Sequence, residues 1–156
     1  MSRATPATLV LDRAGVPYAL HVYDYAPAPG RIGLQAAAGL GVDPGQVLKT
    51  LMVLVDGRGL CAILPSDREA SLKQLARAVG GKAAQMMAPA AAERATGYKI
   101  GGVSPFGQRK PAPVLVEASA LDHAQVFVNG GQRGLQIRLA PRDLIAVLDA
   151  QTAVFA

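Results

Sequence analysis

"VLKTLMVLVDGRGLCAIL" spans Val47 to Leu64 and sets two apolar runs on either side of "DGRG". Large aliphatic side chains dominate both runs, which favours strands. An Asp-Gly pair between strands is a strong hairpin signal, because the tightest two-residue turn needs positive φ at both central positions. Along the first run Leu48, Thr50, Met52 and Leu54 share one face, and Lys49, Leu51, Val53 and Val55 share the other. Beyond the lysine both faces are apolar, so the spacing predicts a central strand covered on two sides. Lys49 is then the anomaly. Either its ammonium meets an anion or a row of carbonyl oxygens, or it sits at the strand's start and reaches solvent along its aliphatic stem.

The pattern continues on both sides of the hairpin. Thr5 can cap a helix that has Pro6 at its first position and runs to Gly15. "VPYALHVYDY" (16–25) alternates as a strand, with Ala19, His21, Tyr23 and Tyr25 on one face. "YAPAPGRIG" (25–33) reads as a mobile connection, followed by a short helix that stops at Gly41. "SLKQLARAVGG" (71–81) has a Ser71 cap, helical apolar spacing and a double-glycine stop. Another helix starts at Pro89 and ends before Gly97. Strands are expected in "APVLVEA", "AQVFVN" and "GLQIRLA", the last two joined by "GGQR", and "APRDLIAVLDA" closes as a helix. Hairpins occur without regular βαβ alternation. That predicts an α+β domain, one unit over residues 1–156, with a mixed, mainly antiparallel sheet flanked by helices.

Composition narrows the function. A length of 156 residues with 51% apolar content supports one packed core. No apolar run approaches the roughly 20 residues of a membrane span, and the N-terminus lacks an apolar secretory segment. A cytoplasmic location is expected. Cys61 is the only cysteine, so no intrachain disulfide can form, and within "GLCAIL" it reads as a small core residue. A net charge of +5 favours a polyanionic partner, yet the chain has no tryptophan and few aromatics. A nucleic acid would therefore be held by its phosphates or at one end rather than on a stacking platform.

The second informative stretch is "GYKIGGVSPFGQRK" (97–110). Gly101 and Gly102 allow close approach to bare peptide groups, which can hold a carbonyl oxygen or a phosphate. Ser104 adds a small donor and acceptor, and Pro105 fixes the bend. The Gly-Lys-Ser/Thr ending of a phosphate-binding P-loop is missing, so an ordinary turn is the competing reading. Length and the adjoining "QRK" favour a ligand loop. Arg133 in the second glycine turn could share its rim. Tyr23 and His21 could serve a pocket or be half-buried sheet residues, and the aspartates near helix starts and turns read as caps. No HExxH, CxxC or nucleophile elbow occurs, so neither a metal site, a cofactor nor a conventional triad is called for.

Taken together, "LKTLMV", "TGYKIGGVSPFGQRK" and "VFVNGGQRGLQIRLAPRDL" resemble the YbaK/EbsC family, relatives of the editing insertion domain of bacterial prolyl-tRNA synthetase. The resemblance covers nearly the whole chain. It implies a free-standing deacylase of mischarged tRNA that binds the aminoacyl-tRNA acceptor end, with prolyl-tRNA synthetase as a second partner and no role for DNA or membrane. The nearest subgroup removes cysteine from tRNA(Pro) and from tRNA(Cys), the substrate's own thiol attacking its ester and leaving as a thiolactone. Carried onto this sequence, Lys49 lies beside the aminoacyl ester and Thr50 is its hydroxyl neighbour. Tyr23 belongs to the pocket. Gly101, Gly102, Ser104 and Pro105 receive the aminoacyl carbonyl and terminal adenosine, and Gly130, Gly131 and Arg133 form the second glycine turn. Gln35 and Gln136 stand where relatives often carry acidic residues. Two rival readings remain open: a deacylase of Ala-tRNA(Pro) or another small mischarged residue using water attack, and a non-catalytic module that only holds tRNA or a synthetase.

Overall fold

The computed structural model describes residues 4–27 and 31–156. Positions 28–30 of the expected connection lie outside the described residues. Helix α1 (Pro6–Ala14) opens on Thr5, whose side chain accepts from the Thr8 N–H while the Thr8 side chain answers the Thr5 N–H. It ends at Gly15, in the left-handed region at φ 68°. Strand β1 (Ala19–Val22) and helix α2 (Ile32–Leu40) follow, and Gly41 caps the helix in the same left-handed way.

The opening stretch forms the expected hairpin of β2 (Leu48–Val55) and β3 (Arg58–Pro65), in register from Leu48 opposite Pro65 to Val55 opposite Arg58. Asp56 and Gly57 both take positive φ, at 50° and 83°. Asp56 tolerates this because its carboxylate accepts the N–H groups of Lys82 and Ala83 at 2.9 and 3.0 Å. Helix α3 (Leu72–Ala78), strand β4 (Ala84–Met86), helix α4 (Pro89–Thr96), strands β5 (Val114–Glu117), β6 (Val126–Asn129) and β7 (Leu135–Leu139), helix α5 (Pro141–Leu148) and strand β8 (Gln151–Ala153) complete the described order.

The strands divide into two sheets. One has the order β1-β7-β6 and is wholly antiparallel; the other has the order β4-β2-β3-β5-β8, with β3/β5 and β5/β8 parallel. A single parallel bridge between Val47 and Phe127 joins them at a corner. The expected α+β class with mainly antiparallel pairing is thus realised, in two sheets rather than one. Both faces of β2 are covered. Leu48 and Met52 enter a core shared with Val128, Ile137 and Leu139 of the smaller sheet, whereas Val53 and Val55 pack with Leu64 and with Leu75 of α3.

Behind that second layer the chain returns to the core. Phe155 is fully buried, and the carboxylate of Glu117, itself 2% exposed, accepts the N–H groups of Phe155 and Ala156 at 2.7 and 3.2 Å. Its other oxygen takes Ser119 N–H and lies 3.7 Å from Arg68. Glu117→Gln turns an amide N–H₂ toward these donors and is expected to cost about 1–3 kcal/mol in denaturant unfolding. An unchanged unfolding midpoint would show that the segment is held by Phe155 alone.

Candidate active site

Strand β2 has β3 along one edge and β4 along the other, but β4 pairs only with Val53–Val55, and its ladder is extended by Met87 N–H donating to the Met52 carbonyl at 3.0 Å. Toward Leu48 that edge has no ladder partner among the described residues. A cavity of about 320 Å³ lies against it, and for this reason five consecutive residues, Leu48 to Met52, line the cavity whichever face they belong to. The Met52 carbonyl faces the β4 side. Residues two apart along a strand direct their peptide groups to the same side, so Thr50 turns its own N–H and C=O toward the cavity. The Val47 carbonyl, of opposite parity, is taken by Ser66 on the β3 side. The hydroxyl of Thr50 is buried without a partner.

Lys49 lines this cavity, half-buried. Burial lowers its pKa from the ordinary 10.5, an effect that the Glu69 and Asp67 carboxylates offset in part. Its ammonium makes no ion pair among the described residues. Lys49 thus borders the cavity near the start of β2, with Glu69 and Asp67 partly offsetting the effect of burial.

The two glycine turns clasp each other at the opposite wall. Gly101, at φ 91°, lines the cavity, and Asn129 at the end of β6 bridges the turns. Its Nδ2 donates to the Gly101 carbonyl at 3.1 Å, and its Oδ1 accepts Gly131 N–H at 2.7 Å. Arg133 Nε donates to the Ile100 carbonyl at 2.9 Å, with the guanidinium 5.4 Å from the ring centre of Tyr25. A Cβ on Gly102 would lie 2.9 Å from the Arg133 nitrogen and 3.0 Å from the Gln132 carbonyl carbon.

The other expected loop residues are placed as follows. The N–H of Gly102 donates to the Lys99 carbonyl at 2.8 Å, so it is not available to polarise a substrate carbonyl; the site needs a glycine there for space. Ser104 is fully buried, with its hydroxyl accepting Phe106 N–H, and Pro105 is buried beside it. Neither reaches the cavity; both shape the loop. Gly130, Gly131 and Arg133 do not line the cavity; Arg133 is exposed and holds the Ile100 carbonyl beside it.

Residues 33–147 match the sequence model of the aminoacyl-tRNA editing domain. The chain belongs to that family. The editing domain is 32% identical over 151 residues to EbsC of Enterococcus faecalis, a candidate Cys-tRNA(Pro)/Cys-tRNA(Cys) deacylase, covering 96% of this chain and 91% of that protein. It is 27% identical over 120 residues to the multifunctional Ser/Thr-tRNA deacylase ProXp-y of Escherichia coli, covering 74% and 72% of the two chains. A crystal structure of a candidate trans-editing enzyme for prolyl tRNA synthetase superposes with a TM-score of 0.83 at 25% identity, over 99% of this chain and 97% of that one. The protein is an aminoacyl-tRNA deacylase, and its substrates are aminoacyl-tRNAs. No helix among its described residues is long and apolar enough to cross a membrane.

The third wall of the editing domain is polar and buried. His21, Gln136 and Asn129 are directly opposed across β1, β7 and β6 and so share one face. Gln136 and Asn129 line the cavity. Gln136 Oε1, Tyr23 OH and His21 Nε2 are buried and make no hydrogen bond of good geometry; burial raises the Tyr23 pKa, which the neighbouring Gly134 backbone and Gln136 side chain offset in part. Buried polar groups without partners are rare in folded proteins, and here they gather behind a cavity in a deacylase. The sequence named Tyr23 and Thr50, noted Gln136 only as standing where relatives often carry an acidic residue, and missed Asn129, whose signal is an Asn placed at a strand end before Gly-Gly. Gln35 has a different role. Its amide accepts Ala26 N–H and donates to the Ala26 carbonyl, both at 2.8 Å, a double bond pattern that a carboxylate could not complete.

Cys61 is fully buried, with its thiol pushed up to about 12 by burial. It does not line the cavity. Cys61→Ala is expected to keep deacylation within about threefold of wild type, since a thiol kept protonated and away from substrate is no nucleophile. Loss of turnover in a folded Cys61→Ala variant would reverse that conclusion.

Proposed function

We propose that the whole chain acts as one editing domain that removes cysteine from mischarged tRNA(Pro), and from tRNA(Cys), with the substrate's thiol as nucleophile. The observation that carries this reading is the make-up of the cavity. Lys49 and Gly101 border the same cavity, whose lining holds no cysteine, serine, histidine or carboxylate among the described residues, and the Thr50 hydroxyl there has no hydrogen-bonded base to activate it. A thiol three bonds from the ester carbonyl carbon supplies what the protein lacks. Its sulfur bonds to the carbonyl carbon, the carbon–oxygen bond to the ribose breaks, and the thiol proton ends on the released ribose hydroxyl. The products are free tRNA and a cysteine thiolactone.

In this proposal Lys49 balances charge that develops on the acyl and ribose oxygens. The N–H of Thr50, on the open edge of β2, takes the part expected of the Gly102 amide. Gln136, which lines the cavity, completes its hydrogen bonding with the substrate's polar groups, and Tyr23 supports it from behind. Salt-sensitive attraction between the basic protein and tRNA phosphates brings the acceptor end to the cavity. Prolyl-tRNA synthetase is the expected source of the mischarged tRNA, and the prolyl-tRNA synthetase of Acidithiobacillus ferrooxidans itself carries a similar segment, 31% identical over 94 residues.

A panel of Cys-, Ala-, Ser- and Thr-tRNA(Pro) with product analysis tests the reading. Cysteine release as thiolactone, faster than release of the other three, is the expected result. Release of alanine at a comparable rate would replace substrate assistance by water attack. Preference for serine and threonine, the activity in the name of ProXp-y, would give the unpaired Thr50 and Gln136 groups to a substrate hydroxyl. Binding of the acceptor stem with every ester intact would make the chain a holding module.

A further inference from the structure

Three of the four methionines of the chain, Met52, Met86 and Met87, line the same cavity. Two of them also belong to a row that crosses the larger sheet. The antiparallel register that sets Val53 opposite Met86 sets Met52 opposite Met87, and on the other side Met52 faces Cys61. Directly opposed residues share a face, so the row carries three sulfur side chains in succession. The row is also held in place. Gln108 Nε2, anchored on the Ser104 carbonyl at 3.0 Å, lies 3.5 Å from Met52 Sδ and 3.9 Å from Cys61 Sγ. Gln108 ends the same glycine loop that puts Gly101 on the opposite wall, so loop and sulfur floor are set together.

The cavity has polar and apolar lining residues. Lys49, the peptide groups of Thr50, Gly101, Asn129 and Gln136 provide the hydrogen-bonding groups. Met52 lies two residues beyond Thr50 on the same strand face, roughly 6.6–6.8 Å along the strand. An acyl group held at the Thr50 peptide group has Met52 and Met87 next along the sheet to meet its side chain. Thioether sulfur is polarisable, adapts in shape and is a poor hydrogen-bond partner. A thiol or methyl loses little on such a floor, whereas a hydroxyl gives up its water without replacement.

Resting on the cysteine reading of the site, we infer that Met52 and Met87 form the specificity floor of this deacylase, accepting a soft or apolar side chain and discriminating against its hydroxyl isostere. Apolar pockets reject an added hydroxyl only moderately, by about 100-fold, so the selection expected from the floor is of that order or below.

The test compares single-turnover deacylation of Cys-, Ser- and Ala-tRNA(Pro) by wild type, Met87→Leu and Met87→Gln. Thiol and hydroxyl differ in intrinsic reactivity, so the quantity read is the change in the Cys-to-Ser ratio between variants, in which that difference cancels. Met87 sits just past the short edge strand β4 and is only partly buried, which favours a folded variant; Met87→Ser gives the same readout should the glutamine variant unfold. Met87→Leu is expected to keep the ratio. Met87→Gln is expected to lower it about tenfold by raising serine release. A ratio unmoved by both polar variants, with cysteine still removed, overturns the floor and leaves the cysteine reading standing. A wild type that leaves Cys-tRNA(Pro) intact overturns both.

Discussion

Lys49→Ala is expected to lower deacylation of Cys-tRNA(Pro) by about 100- to 1000-fold while the protein stays folded, the range seen when one preorganised stabiliser of transition-state charge is lost. The residue is half-buried at the open edge of β2, lines the cavity and makes no ion pair among the described residues. Truncation therefore removes a charge without breaking a salt bridge. The pH profile separates this role from a packing role. Burial lowers the Lys49 pKa from 10.5, and the lysine is cationic below its pKa, so activity should fall as pH rises and begin to do so before 10.5. Rates must be corrected for spontaneous ester hydrolysis at each pH. Lys49→Arg, charged throughout that range, should recover part of the rate and lose the alkaline decline. Unchanged turnover in Lys49→Ala would remove the residue from the mechanism.

Local signals were what the sequence could reveal. The hairpin was legible because Asp56 and Gly57 supply the two positive φ angles that such a turn demands, and α1, α2 and α4 ended at glycines the structure places in the left-handed region. Strands β4 and β8 were missed because three residues are too few to show a period. The division into two sheets was hidden because it depends on a corner, the Val47–Phe127 bridge, between residues far apart in the chain. At the site the same boundary holds. Residue type pointed to Lys49, Gly101 and Thr50, which line the cavity. Where a given N–H is directed depends on contacts that composition does not show, so the commitment of Gly102 to Lys99 and the burial of Ser104 are set by the folded loop alone. The open edge of β2 is the clearest such case: it exists because β4 is short.

Gly102→Ala should damage the site strongly, lowering kcat/KM by about 100-fold, the cost of displacing a positioning element by roughly 1 Å. The added carbon would lie 2.9 Å from the Arg133 nitrogen and 3.0 Å from the Gln132 carbonyl carbon. Both are backbone atoms, which cannot swing aside like the end of a flexible side chain, so the two glycine turns must separate. Separation strains the Asn129 bond to the Gly101 carbonyl and the Arg133 bond to the Ile100 carbonyl, and Gly101 moves with them. Overpacking of this kind costs about 1–3 kcal/mol, so a lower unfolding midpoint should accompany the kinetic loss. A Lys49 variant should show the rate loss without the stability loss. Ser104→Ala, which removes a buried hydroxyl that accepts Phe106 N–H, should do the reverse, with stability reduced by about 1–3 kcal/mol and catalysis largely kept. If Gly102→Ala retained full activity and stability, the clasp between the two turns would have slack that these distances do not allow, and the position of Gly101 at the cavity wall would need another support.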